Sequence, residues 1–407
     1  MAKTILFLGA PKETVEGMRQ ARRAGYRIFA ADANPAAPGA EEAEEFFQAS
    51  IYHVDDVLRV IPPDPRSQEI DGVVMVGVDA PLVWASLTDA LGLPGQSIRT
   101  AGLASHKLEM KKALRAGGVS VPDFWPLPSF ESLAERMEVE PTVYVIKPPD
   151  SRGARGVLKI DPGSDLRWAY DFSRSQSPSG EVMLERWLSG EQYSTESLLW
   201  RGEHHLAGTA HREYASTRHY EPFLVENGGE SPADLSEAQL ERIDEILSRS
   251  AAALGLTDGP LKGDLVWHDG EPHVIEVATR LSGGYFCTHH IPVSFGAPLV
   301  PWACDIAVDK EPDWGAAEPP EPAVYTVNRK LFLDEPGRVA QVRLRDEMLP
   351  EKPWVVAYRC YVDSGSIRDG VRNHTDDAAH AMAAGGSCAE ASARAQQLID
   401  NIEVTLE

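Results

Sequence analysis

The sequence predicts an α/β and α+β protein built of several packed units, and three observations predict it. Apolar runs of strand length alternate with helical stretches near the start. A well-marked amphipathic helix precedes two strands joined by a tight turn, and further strand-like runs lead into a capped final helix. With 407 residues the chain is too long for one ordinary core, so two or three packed units are expected.

The elements follow in order. Thr4–Leu8 reads as a buried strand, Glu13–Ala24 as a helix and Tyr26–Ala31 as a second strand. Val73–Val76 is another apolar run, followed by a helical stretch from Pro81 to Leu91. Strands alternating with helices imply a parallel sheet covered on its faces, so the first ~100 residues form a Rossmann-like unit. Gly9 and Asp32 close the first two strands, where a dinucleotide fold would hold pyrophosphate and ribose. Gly9-Ala10-Pro11-Lys12 lacks the further glycines of that fingerprint, and a tight turn with a loop acid is the better reading.

From Ser105 the texture changes. A basic helix (Lys107, Lys111, Lys112, Arg115) ends at Gly117-Gly118. The strand Thr142–Lys147 leads into a loop, Asp150 to Gly156, and Val182–Leu184 is a further strand. Leu240, Ile243, Leu247 and Leu254 keep helical spacing behind a Ser236/Gln239 capping box. Leu261–Trp267 and His273–Ala278 are strands joined by a turn containing Asp269-Gly270. A proline-rich stretch, Glu311–Pro322, is followed by strand-like runs at Val324–Leu333 and Trp354–Val362. The final helix spans Ala389 to Ile402, with Ser387 and Glu390 as a second capping box.

Composition narrows the function classes. A net charge of −23 argues against a nucleic-acid backbone as partner, which needs a basic face. Small anions are not excluded, because a few local cations suffice to hold them. The four cysteines (Cys287, Cys304, Cys360, Cys388) are scattered and suggest neither a disulfide framework nor a zinc site. The start lacks a signal-peptide pattern, and no run approaches the roughly 18 apolar residues of a membrane span. A cytoplasmic, reduced protein is expected.

The chemistry centres on Asp264 and Glu276. Side chains alternate along a strand, so register decides whether these carboxylates meet. An odd-length loop such as Asp269-Gly270-Glu271 puts both on one face, whereas a two-residue loop puts them on opposite faces. Facing carboxylates repel unless a cation separates them, and Mg²⁺ suits that place because it takes one or two carboxylates plus phosphates. The bland alternative is a pair of unrelated surface acids. Arg280 and Ser282-Gly283-Gly284 follow at once, an arginine to neutralise phosphoryl charge and glycines that admit an anionic ligand to the backbone. Lys147 ends an apolar strand before a Gly/Arg loop, where an unpaired lysine has few structural explanations. Lys107, on the basic helix, reads by itself as part of a solvated face.

Five stretches stand in a telling order: Ser105-His106-Lys107, Val145-Ile146-Lys147, Leu184 to Gly190, Val274 to Gly284, and Gly385-Gly386-Ser387 with Glu390-Ala391. Together with Asp32-Ala33-Asn34-Pro35 and Pro38-Gly39 they resemble the ATP-grasp enzymes. That family includes L-amino-acid ligases, D-alanine–D-alanine ligase, biotin carboxylase and the carboxylating and formylating enzymes of purine synthesis. The resemblance covers most of the chain and implies ATP and Mg²⁺, with Mn²⁺ as a substitute. It implies that Lys107 and Lys147 bind ATP phosphates under a cover containing Ser151, Gly153 and Gly156. Glu185, Arg186, Trp187 and Leu188 would form the hinge strand that recognises adenine. Asp264 and Glu276 would hold the metal, Arg280 would steady the acyl phosphate as the catalytic cation, and Ser282, Gly283 and Gly284 would contact substrate.

The chain departs from the family at three places. Gln192, with Glu191 beside it, stands where relatives carry a ribose-binding glutamate, leaving open which of the two serves. Ala278 replaces the asparagine that follows the second metal acid, which puts a second Mg²⁺ in doubt. Lys262 precedes Asp264 where many relatives have a small polar group or histidine. Cys287, His289 and His290 read as ordinary packing, and His204, His205, His211 and His219 as structural or solvated.

The expectation is thus a Rossmann-like domain at 1–104, an ATP-grasp domain at 105–300 with a lid near 115–185, and a C-terminal α+β segment at 301–407. The implied activity joins a small carboxylate, through its acyl phosphate, to an amine such as that of an amino acid. The competing readings are an ATP-grasp enzyme acting on bicarbonate or formate, a nucleotide-binding dehydrogenase, and a non-catalytic binding protein. Partners are expected to be small molecules, with no nucleic acid and no membrane. A homodimer is compatible with the sequence.

Overall fold

The computed structural model describes residues 2–407. Four N-terminal strands, β1 (Thr4–Leu8), β2 (Arg27–Asp32), β3 (Glu45–Gln48) and β4 (Gly72–Val74), form a parallel sheet in the order β3-β2-β1-β4. Every residue of β1 is buried, because both faces are covered. Ile5 and Phe7 pack with the helices Thr14–Arg23 and Leu299–Ala307, while Leu6 and Leu8 pack with Val54–Val60 and Pro81–Leu91. Asp32 accepts the main-chain N–H groups of Ala10 and Asn34, so its carboxylate shapes the turn.

A separate small antiparallel sheet follows, from β5 (Phe124–Pro126), β6 (Tyr144–Lys147), β7 (Leu158–Ile160) and β8 (Met183–Arg186), in the order β5-β8-β6-β7. The helices Phe130–Val139 and Leu166–Ser175 cover it and give it its own core around Leu133, Tyr144, Ile146 and Tyr170.

The rest of the chain builds one long sheet. Its members are β9 (Glu191–Trp200), β10 (Glu203–Arg212), β11 (Gly229–Ser231), β12 (Gly259–His268), β13 (Glu271–Ala278) and β14 (Tyr325–Leu331). After β15 (Gly337–Leu344) come β16 (Val355–Cys360), β17 (Ile367–Arg368), β18 (Ala379–Gly385) and β19 (Ile402–Leu406). The order is β13-β12-β9-β10-β11-β14-β18-β16, with β17-β15-β19 as a small companion sheet. The short strand β11 pairs with both β10 and β14 and so joins the C-terminal strands to the central ones. Helix Glu237–Leu254 carries the Ser236/Gln239 capping box and lays Ile243, Ile246 and Leu247 on Leu261, Leu265 and Val277. Among the described residues no helix is long and apolar enough to cross a membrane.

Two departures from the sequence reading have clear causes. Strand β9 shows neither alternation nor an apolar run over Ser194, Thr195, Glu196 and Ser197, because all four are polar and all four are buried. The last helix spans Cys388–Asp400, with Ser387 accepting the Glu390 N–H at its start. Glu390 takes the Gly386 N–H instead of that of Ser387, so only half of the second capping box forms. Ile402 belongs to β19 rather than to the helix.

Candidate active site

A cavity of about 1010 Å³ lies where the small sheet, the long sheet, the C-terminal ends of the N-terminal strands and the C-terminal segment meet. Lys107, Lys147, Ser151, Gly153, Glu185 to Leu188, Gln192, Asp264, Glu276, Arg280 and Ser282 to Gly284 all line it. Gly156 and Glu191 do not. Gly156 turns the end of the loop at φ 76° against Gln176 and Pro148. The Glu191 carboxylate lies 2.6 Å from the His211 ring, whereas its neighbour Gln192 points the other way, into the cavity.

The carboxylate pair meets by a route different from the odd loop considered above. The turn between β12 and β13 has two residues, Asp269 and Gly270, both at positive φ as a type I′ hairpin requires. With that turn alone Asp264 would face residue 275. A bulge adds Ile275 between Leu265↔Val274 and Asp264↔Glu276, and so sets the two acids directly opposite one another.

Basic groups hold both acids. Asp264 pairs with Lys262, accepts the Ser194 hydroxyl at 2.7 Å and lies 3.2 Å from the Arg212 guanidinium. Burial would raise its carboxyl, but Lys262 and Arg212 keep it well below the usual range. Glu276 lies 3.1 Å from Lys107. Hard oxygen donors of this kind fit Mg²⁺. Among the described residues no group of three or more His, Cys, Asp or Glu could hold a metal ion. Two carboxylates therefore suit a cation that completes its shell with phosphate and water rather than one caged by protein.

Lys107 is only 9% exposed, and its ammonium also donates to the Ser151 carbonyl at 2.7 Å, tying the helix to the cover loop. The solvated-face reading of this helix fails for its i, i+4 partner as well. Lys111 is fully buried and lies 2.9 Å from Glu185, which Lys147 approaches from the other side at 2.7 Å. Burial would raise the Glu185 carboxyl, and the two ammonium groups overcome that and hold it low. Burial pushes Lys111 down to about 8 despite the carboxylate. Trp187 and Leu188 continue the wall beyond β8.

Arg280 lies 3.7 Å from Asp79, and its buried Nε has no hydrogen-bond partner. Leu281 bridges to Val76 of the N-terminal unit, which sets Gly283 against Gly77. A Cβ on Gly283 would come within 2.7 Å of the movable Glu13 carboxylate and 3.4 Å of the Gly77 main chain. Behind this loop Glu196 is completely buried and accepts the Ser282 N–H at 2.9 Å. Burial raises its carboxyl to about 7. The Cys287 thiol donates to the Ser282 carbonyl, and His290, lining the cavity, is hydrogen-bonded to Thr326. Of His204, His205, His211 and His219, only His211 lines the cavity.

Several cavity residues went unread in the sequence. Arg212 bridges Asp264 to Glu226, whose carboxyl it holds at about 2 against the effect of burial, with help from Lys330 and His374. Lys330, Tyr361, Arg368, His374 and Asp377 bring the C-terminal segment into the wall. Lys111 was legible, being one helical turn from Lys107. Arg212 and Glu226 carried no local signal.

Comparison with known proteins agrees with this architecture. The pattern of the ATP-grasp domain family matches residues 104–284, and that of the L-amino acid ligase C-terminal domain 2 matches residues 329–407. An uncharacterised protein of Sinorhizobium fredii is 23% identical over 83% of this chain and 69% of its own length. The L-arginine-specific L-amino acid ligase of Bacillus subtilis is 24% identical over 65% of each chain. The L-amino acid ligase of Bacillus licheniformis superposes with a TM-score of 0.83 at 20% identity, covering 100% of this chain and 99% of that one, which shows a shared fold. The chain thus carries an ATP-grasp domain followed by a C-terminal domain of the L-amino acid ligase type.

Proposed function

We propose that this ligase activates a small carboxylate as an acyl phosphate and couples it to the amine of an amino acid, releasing ADP and phosphate. The observation that carries the reading is the Asp264–Glu276 pair set across a bulged hairpin in one cavity with Lys107, Lys147 and Arg280. The L-amino acid ligase type of the C-terminal domain supports an amino-acid substrate.

In this reading Lys107 and Lys147 bind the ATP phosphates, and the loop from Ser151 closes over them. Trp187, Leu188 and Gln192 receive the base and ribose. Mg²⁺, held by Asp264 and Glu276, would supply charge neutralisation to the phosphates. Arg280 steadies the carboxylate as it attacks the γ-phosphate in line and then the oxygens of the acyl phosphate as the amine attacks its carbonyl. Catalysis of such transfer is positioning and charge compensation, which is what these side chains provide. The Gly283–Gly284 backbone leaves room for the substrate between the N-terminal unit and the long sheet.

The test is ADP release with Mg·ATP and pools of carboxylic acids, with hydroxylamine present as a trap. ADP together with a hydroxamate from an amino-acid pool is expected. Turnover with bicarbonate or formate alone would replace this reading by the carboxylating or formylating one.

A further inference from the structure

Strands β9, β12 and β13 lie side by side, and their register sets side chains in two rows on one face of the long sheet. Ser194, Asp264 and Glu276 stand directly opposite one another in the first row. Glu196, Lys262 and Ala278 make the second, one side-chain step further along. The first row carries the two carboxylates proposed to take Mg²⁺. Beside them the second row presents an ammonium to the cavity, with a methyl group across from it that offers no donor.

The free positions on the two acids decide how many ions fit. A carboxylate has about four lone-pair positions. The chain's own groups fill most of those on Asp264: Oδ1 accepts the Ser194 hydroxyl at 2.7 Å and faces the Arg212 guanidinium at 3.2 Å, and Oδ2 is held by the Lys262 ammonium. Glu276 gives only Oε1, to Lys107 at 3.1 Å, and its side chain is 32% exposed against 14% for Asp264. One ion can therefore bridge the remaining position on Asp264 and the open Oε2 of Glu276. A second ion would find only what is left of Glu276, with Ala278 beside it and the ammonium across the strand pair. Among the described residues no group of three or more His, Cys, Asp or Glu could make up the shortfall. Phosphoryl transfer to a carboxylate nevertheless gathers negative charge, which two-metal sites meet with a second ion.

We infer that this chain binds a single divalent ion at the Asp264–Glu276 pair, and that the Lys262 ammonium supplies the second positive charge in place of a second ion. The inference rests on the ATP-dependent reading of the site.

The test is equilibrium dialysis of the full chain against Mn²⁺ and AMP-PNP, a non-hydrolysable ATP analogue, with metal and nucleotide counted in both chambers. Bound Mn²⁺ per bound nucleotide should be close to one in the wild type. Ala278→Asn adds an oxygen donor opposite Lys262 and should leave the ratio near one, because the ammonium still repels a second ion. Ala278→Asn combined with Lys262→Met removes that charge, and the ratio should rise to about two, as for a site with room for both ions. A ratio of two in the wild type or in Ala278→Asn, or of one in the double variant, would overturn the inference and leave the ligase reading standing. Should the double variant fail to fold, the wild type and Ala278→Asn still decide. Nucleotide retained without Mn²⁺ would also overturn the inference, and failure to retain any nucleotide would remove the ligase reading with it.

Discussion

Glu185 balances two buried lysines, and replacing it with glutamine tests how much that balance is worth. Glu185 is 3% exposed, Lys147 3% and Lys111 0%, with contacts of 2.7 and 2.9 Å. Glutamine keeps the volume and one acceptor but leaves two buried ammonium groups without a counter-charge. Removing one partner of a buried ion pair costs about 3–5 kcal/mol. Two stranded cations argue for the upper part of that range. Relief comes from Lys111, already pushed down to about 8, which sheds its proton more readily once Glu185 is neutral. The sign follows: a lysine with a depressed folded pKa binds fewer protons folded than unfolded between that value and its ordinary ~10.4, so stability rises with pH there. In Glu185→Gln this window opens at lower pH, and the deficit should shrink between pH 7 and pH 9. The assay is the urea midpoint of each protein at both pH values, together with Lys111→Met in the Glu185→Gln background, which should regain stability. A loss below about 1 kcal/mol, of the order of a surface pair, would refute the argument, as would a double variant no more stable than the single one.

Two further predictions concern the acids around Arg280. Glu276→Gln should abolish ATP turnover and leave the chain folded, with a melting temperature lowered because the buried Lys107 loses its ion-pair partner; near-normal turnover would sink the metal assignment. Glu196 has its carboxyl raised to about 7 by burial, so between its unfolded value and pH 7 the folded chain holds the extra proton and stability falls as pH rises. That component of the pH–melting curve should vanish in Glu196→Gln, and an unchanged curve would show that Glu196 does not titrate there.

How much was legible depended on whether a residue's neighbours in sequence share its environment. Thr4–Leu8 and the helix behind Ser236 were plain, because burial there is continuous or periodic. Lys147, Asp264, Glu276 and Arg280 were found through motif order, and the structure brings all four to one cavity. Lys107 looked solvated by composition, yet its side of the helix is roofed by the loop from Ser151 and faced by Glu276. β9 was hidden because its buried residues are polar and satisfied across strands, as with Ser197 on the Leu261 carbonyl and Thr195 on that of Gly263. Glu13 and Asp377 were beyond reach: they stand 364 positions apart (377 − 13), and only the tertiary fold puts them in one space.

The bulge at Ile275 has a consequence for descent. Residues 265 to 275 separate the two acids, one more than a regular ladder with a two-residue turn accommodates, and the surplus is taken up in the strand. A lineage that lost Ile275 would pair the same acids through an unbroken ladder, and one that gained a residue at the turn would pair them after losing the bulge. Single-residue insertions and deletions in this hairpin can thus be absorbed without parting the carboxylates. When related chains are aligned, the two acids should be matched by their place opposite one another, and a gap of one between them is to be expected.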